Sequence, residues 1–178
     1  LKAIATLPSS HHRFYGGAGS DTLMGGPGAD TLDGGTGDDV IHGRRGRNTI
    51  FGGHGNDLIT DGDGSSRIDT GPGRNRVVLG SGDDEVFVGT GVNLISPGPG
   101  NVRFTIGYGG VTVIETWRPG QIYDLTAWPA PPALTDCGSG VVRLNLGLSW
   151  VELREVGDPA AVAGQVVGPE GPAKERRG

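Results

Sequence analysis

Glycine returns every nine residues in this chain, and the register holds from Gly16 to Ile114. The first units read GGAGSDTLM, GGPGADTLD, GGTGDDVIH, GRRGRNTIF and GGHGNDLIT. Six looser units follow, starting at Asp61, Thr70, Leu79, Val88, Pro97 and Ile106. The fourth position is glycine in all eleven units, from Gly19 to Gly109. The eighth is large and apolar in all eleven: Leu23, Leu32, Ile41, Ile50, Ile59, Ile68, Val77, Val86, Ile95, Phe104 and Val113. The second is glycine in ten units, with Arg44 the exception. A register this long argues against a disordered glycine-rich chain, and collagen would need a three-residue period that is absent. Glycine at 36 of 178 positions also disfavours a helical domain, since each one weakens a helix interior by about 1 kcal/mol relative to alanine.

The period predicts a shape. Positions one to six turn the chain, with glycines supplying positive φ and close backbone approach. Positions seven to nine form a short strand in which only position eight faces inward. Two units make one turn of a flattened parallel coil, so eleven give about five turns spaced ~4.8 Å apart. A ladder of single side chains from two facing sheets lets a chain with a hydrophobic share of only 34 % build a core. The expected fold class is therefore all-β, a parallel β-roll with a small C-terminal β cap. The expected divisions are an N-terminal arm (1–15), the roll (16–114), a capping β segment (115–167) and a flexible tail (168–178).

Other features narrow the function. A net charge of −5 argues against nucleic acid as a partner, because phosphate binding needs a basic face. No apolar run is long enough for a membrane helix. Leu1–Ser10 contain neither an initiator Met nor a signal peptide, which reads as a processed chain or part of a longer one. The single cysteine, Cys137, cannot form an internal disulfide, so something else must staple the fold.

The repeat resembles the calcium-binding RTX nonapeptide, G-G-x-G-x-D-x-U-x with U large and apolar. The resemblance covers 16–114. VTVIETWRPGQIYDL (111–125) also resembles the stretch that commonly follows such repeats. The resemblance implies a parallel β-roll with Ca²⁺ as cofactor, held between loops on one edge by position-six carboxylates and backbone carbonyls. Ca²⁺ suits such a site, being a hard cation that takes 6–8 oxygens. Carried onto this chain, the ligand set is Asp21, Asp39, Asp57, Asp30 and Asp84, with loop residues Gly16, Ala18, Gly34, Gly35, Thr36, Gly37, Gly53 and Gly55. The resemblance also implies secretion or surface exposure, with folding driven by external calcium.

Alternate units fall on opposite edges of the coil. The odd edge carries Asp21, Asp39, Asp57, Asn75 and Asn93; the even edge carries Asp30, Asn48, Ser66, Asp84 and Val102. Only the odd edge has consecutive aspartates, so the strongest ions are expected between the Asp21 and Asp39 loops and the Asp39 and Asp57 loops. A weaker one is expected between Asp57 and Asn75. Asn75 and Asn93 can instead close their turns by side-chain-to-backbone hydrogen bonds. The even edge is expected to hold fewer ions, with one of Arg44, Arg45 and Arg47 filling the cationic role at Asp30. Asp61 and Asp63 lie off position six and could assist a nearby ion, while His11 and His12 read as solvent-exposed.

No H-E-x-x-H or G-x-S-x-G motif is present, and Cys137 has no neighbouring base, so no catalytic constellation is found. Outward positions of the odd units (Val40, Leu58, Val78, Leu94, Ile114) are apolar enough to need a cover from either terminal segment. The even units show Arg67 and Arg103 with Phe51 and Phe87. Such a strip could hold an acidic polysaccharide, as an accessory module of an extracellular enzyme such as an alginate epimerase. The expected function is a structural Ca²⁺-binding module rather than an enzyme, within a larger secreted protein. A calcium-independent surface scaffold is the further alternative.

Overall fold

A computed structural model describes residues 2–4, 11–116, 118, 120–124, 128–130, 132, 133–138, 140–146, 149–154, 156, 159–163, 165–168 and 171–172. Their strands form two facing sheets, and the coil is a parallel β-solenoid of about six turns. The first sheet runs Lys2–Ile4, Thr22–Met24, Val40–Arg44, Leu58–Asp61, Gly73–Val78, Gly91–Ser96, Gly110–Ile114 and Ser149–Leu153, all parallel. It closes with Val141–Leu146 and Ala133–Gly138, both antiparallel. The second sheet runs Arg13–Ala18, Thr31–Thr36, Thr49–Phe51, Arg67–Asp69, Asp84–Val88, Val102–Ile106, Ile122–Asp124 and Val166–Gly168, and ends antiparallel at Gly171–Pro172.

The nine-residue unit explains this order. Successive strands cross to the other sheet, so each pairs with the strand two units away: Leu23 with Ile41, Ile41 with Ile59, Ile59 with Val77. The second sheet repeats the pattern through Leu32, Ile50, Ile68, Val86 and Phe104. From Leu23 to Phe104 every position-eight side chain is fully buried. At about 2 kcal/mol for each such side chain, this ladder is the main apolar stabilisation of the coil.

Two departures from the sequence reading occur at the ends. Residues 13–15, expected in an arm, begin a strand of the second sheet, with Phe14 registered on Leu32. At the other end, Val113 does not take the inward seat. Ile95 pairs with Ile114, and Gly91 with Gly110, because the loop after Val102–Ile106 holds one extra residue. Val113 is half-buried, and Ile114, expected to face outward, is fully buried. A one-residue slip moves a strand's side chains to the opposite face. The new register persists: Phe104 pairs with Tyr123, and their rings stack at 5.4 Å with 5° between planes.

The parallel coil thus continues beyond Ile114 before its edges are closed by antiparallel strands. Those strands occupy backbone groups that would otherwise template further pairing. Glu152 fixes the closing strands through Arg143 and Arg154, each at 2.8 Å. Trp128 donates from Nε1 to the Ile106 carbonyl at 2.9 Å, sealing the core under the loop that holds the extra residue. Of the apolar outward positions, Val40, Val78 and Leu94 are half-buried and Leu58 remains exposed.

Candidate metal-binding edges

Position six of the first nine units is buried although its side chain is polar; the tenth and eleventh units carry Val102 and Val111 there. Asp21, Asp39, Asp57, Asn75 and Asn93 line the odd edge; Asp30, Asn48, Ser66 and Asp84 line the even one. Each edge is a ladder. The Asp21 N–H donates to Asp39 Oδ1 at 2.7 Å, Asp39 N–H to Asp57 Oδ1 at 2.9 Å, and Asp57 N–H to Asn75 Oδ1 at 3.0 Å. The even edge repeats this from Asp30 to Asn48, from Asn48 to Ser66 and from Ser66 to Asp84. One side-chain oxygen at position six therefore caps the turn above it, leaving the second atom of the group to define each site.

On the odd edge that second atom divides the coil. Asp39 Oδ2 and Asp57 Oδ2 are buried and accept no hydrogen bond among the described residues. Burial above all pushes both carboxyls above the usual carboxylate range. The Asp21 and Asp38 charges add to the effect at Asp39, and the Asp39 and Asp38 charges add at Asp57, against the lowering influence of the backbone N–H each accepts. Buried ionised carboxylates with unmet oxygens are costly unless paired with a cation or a proton. At Asn75 and Asn93 the second atom is Nδ2. It donates to the Gly71 carbonyl at 3.0 Å and to the Gly89 carbonyl at 2.9 Å, and Asn75 Nδ2 also reaches Asn93 Oδ1 at 3.1 Å. There the amide closes the turn internally.

The glycines frame the carboxylates. A Cβ on Gly34 would collide with both Asp39 Oδ2 and the Gly52 carbonyl oxygen. A Cβ on Gly52 would meet Asp57 Oδ2 and the Thr70 carbonyl, and one on Gly16 would meet Asp21 and the Gly34 carbonyl. Carboxylate and carbonyl oxygens from successive turns thus converge beside a position-one glycine. The loop residues named from the sequence stack accordingly. Gly17 registers on Gly35 and Ala18 on Thr36, while Gly37 N–H donates to the His54 carbonyl and His54 N–H to that of Gly35. Gly53 and Gly55 continue the stack, both at positive φ. Among the described residues no three His, Cys, Asp or Glu side chains cluster as a metal site. Each site's remaining oxygens would therefore come from the backbone, in keeping with an oxygen-seeking cation of high coordination number.

The even edge is organised differently. Asp30 is saturated: Oδ1 accepts from the His12 N–H at 2.8 Å and lies 3.0 Å from His12 Nδ1, and Oδ2 accepts from Gly26 N–H at 2.7 Å. The partner at Asp30 is thus a histidine, not an arginine, and His12 is not a solvated arm residue, its side chain being 18 % exposed. Its place follows from spacing, since His12 precedes Asp30 by two units and occupies position six of a unit that lacks the glycines. Asp84 Oδ2 is buried without a hydrogen-bond partner among the described residues, and its carboxyl is pushed up to about 6 by burial, with the Asp61 and Asp83 charges adding.

Arg67 and Arg103 lie on the outer face of the second sheet. Arg67 pairs with Glu85 at 2.6 Å and lies over the Phe87 ring at 3.9 Å; Arg103 reaches Asp124 at 3.4 Å. Each cation there already has a carboxylate beside it.

Comparison with known proteins agrees with the geometry. The profile described as the RTX calcium-binding nonapeptide repeat matches four times, over residues 15–50, 33–68, 51–86 and 60–95. No curated protein matches the chain.

Proposed function

From the premise that residues 15–95 belong to the RTX calcium-binding nonapeptide-repeat family, we propose that this chain is an extracellular module whose N-terminal turns fold on calcium, with a structural rather than catalytic role. The observation that carries this reading is the pair of buried oxygens, Asp39 Oδ2 and Asp57 Oδ2, on stacked turns. The residues that would hold the ions are Asp21, Asp39 and Asp57, with carbonyls of the position-one stack, notably Gly34, Gly52 and Thr70. When bound, calcium supplies the positive charge and oxygen coordination that these groups lack. The chain's own part is to hold the carboxylates one turn apart through the ladder and to keep side chains off the glycine positions beside them.

Coupling to folding follows from where the ligands sit. The carboxylates are brought together only when the turns stack, so cation binding free energy becomes folding free energy. An extracellular setting, where the family is typically found and where calcium is plentiful, would let such a module stay open during export and close afterwards. The test is circular dichroism of the full chain through a Ca²⁺ titration, with Asp39→Asn alongside. Strand signal that rises with calcium in the parent, and a muted response in the variant, support the reading. A parent chain equally β-structured in excess chelator would sink it.

A further inference from the structure

Asp61 breaks the repeat in an informative way. It stands at position one, where the two preceding even units have Gly25 and Gly43, and it is only 5 % exposed. Its carboxylate lies in the space a Cβ on Gly43 would fill, with Oδ1 accepting from Asn48 Nδ2 at 3.2 Å. Asp61 Oδ2 is buried without a hydrogen-bond partner among the described residues, and the Asn48 amide, the Ser66 hydroxyl and the Gly62 N–H offset only part of the cost of burying the carboxylate. Asp84 Oδ2 on the same edge is likewise buried without a partner among the described residues, while its own Oδ1 caps the Ser66 turn.

On this edge the position-six groups of the two intervening turns are Asn48 and Ser66, which offer no carboxylate. Asn48 Oδ1 is engaged by Asp30 N–H and Ser66 Oγ by Asn48 N–H. The negative charge missing from position six is restored by Asp61 from position one. We propose that Asp61 and Asp84 are the carboxylate ligands of a separate divalent-cation site on the even edge, off the nonapeptide pattern, for a hard, oxygen-preferring ion such as Ca²⁺.

Hydrogen bonds link the two groups through neighbouring turns: Asn48 Nδ2 donates to Asp61 Oδ1, Asn48 N–H to Ser66 Oγ, and Ser66 N–H to Asp84 Oδ1. Two buried carboxylates, each with an unmet oxygen, cost several kcal/mol unless a cation or protons compensate. Nearby arginines do not supply that charge. Arg44, Arg45 and Arg47 are exposed, and Arg45 pairs with the exposed Asp63 at 3.7 Å. At a site with two carboxylates, a divalent ion is balanced where a monovalent one is not.

The inference rests on the calcium reading of the chain but uses different residues, so the two can fail separately. The experiment is isothermal titration of the full chain with Ca²⁺, comparing parent, Asp61→Asn, Asp84→Asn, the double variant and Asp39→Asn. Asp61→Gly, which restores the residue found at position one of earlier units, serves if the amide perturbs folding. Asp61→Asn, Asp61→Gly and Asp84→Asn are each expected to bind one ion fewer than the parent. The double variant should lose that same single ion, whereas Asp39→Asn should lose odd-edge ions and keep this one. A parent that binds calcium with Asp39-dependent stoichiometry, while the Asp61 variants bind as many ions as the parent, overturns this inference alone. Loss of two ions in the double variant overturns the shared site. A parent that binds no calcium overturns both readings.

Discussion

The odd edge holds two solutions to one structural problem. In its first turns position six is aspartate; in later turns it is asparagine. The capping oxygen does the same work at Asp39, Asp57 and Asn75, accepting from the N–H one turn above. What differs is one atom. At Asn75 and Asn93 that atom is an amide nitrogen that donates to a loop carbonyl, and at Asp39 and Asp57 it is an oxygen that accepts nothing. The asparagine turns are internally complete, whereas the aspartate turns require a cation or protons. The odd edge is therefore expected to be divided along its length, complete without calcium at its asparagine turns and incomplete without it at its aspartate turns.

The largest effect should come from converting the first kind of turn into the second. Asp39→Asn with Asp57→Asn is expected to raise the stability of the chelator-treated chain by about 2–4 kcal/mol, since each amide removes a buried charge and adds a donor. Urea unfolding in excess chelator measures this gain, and a Ca²⁺ titration of the same variant should show the response largely gone. The converse change sharpens the comparison. Asn75→Asp deletes the donation to the Gly71 carbonyl and to Asn93, and should cost about 1–3 kcal/mol in chelator while adding one bound ion by titration.

Proton concentration reaches the buried carboxylates of both edges by another route. The carboxyls of Asp39, Asp57, Asp61 and Asp84 are raised by burial, so the folded chain binds protons more readily than the unfolded one. For Asp84 the window lies between the ordinary 3.8 and about 6. The contribution of this carboxyl to stability without calcium is thus fully present below that window and is lost as pH rises through about 6. Moving from pH 7 to pH 5 in chelator is expected to stabilise the parent by about 1–3 kcal/mol, and Asp84→Asn should flatten the slope. Chemical denaturation at the two pH values checks both.

The smallest change tests the backbone rather than the charge. Arg44 holds φ 64° at the position that is glycine in ten units. Arg44→Gly should stabilise the coil by about 1 kcal/mol, with calcium stoichiometry unchanged, as read from the thermal midpoint and a titration.

How much of this was legible in the sequence depends on whether a feature repeats. The inward ladder from Leu23 to Phe104 was readable because each residue's role is stated again nine positions later. The register slip was not, because Gly109 and Gly110 both satisfy the glycine position and Val113 and Ile114 both satisfy the apolar one. Only pairing of Ile95 with Ile114 decides between them. His12 escaped because its unit lacks the glycines that mark the others, although Phe14 keeps the apolar spacing. Asp61 was visible as an off-pattern carboxylate, but its burial against Asn48 depends on how the turns stack. The division between Asp and Asn turns could be read as composition; the exchange of an unmet oxygen for an internal donor needed the hydrogen bonds.

The most direct test of the divided odd edge is residue-resolved amide hydrogen exchange of the full chain with and without calcium. In excess chelator, amides bonded between the asparagine turns, including Gly73 and Glu115, should stay protected while those at Asp21, Asp39 and Asp57 exchange freely; calcium should restore protection at the latter. Equal protection of both kinds of odd-edge turn in chelator, or its equal loss, would contradict the account.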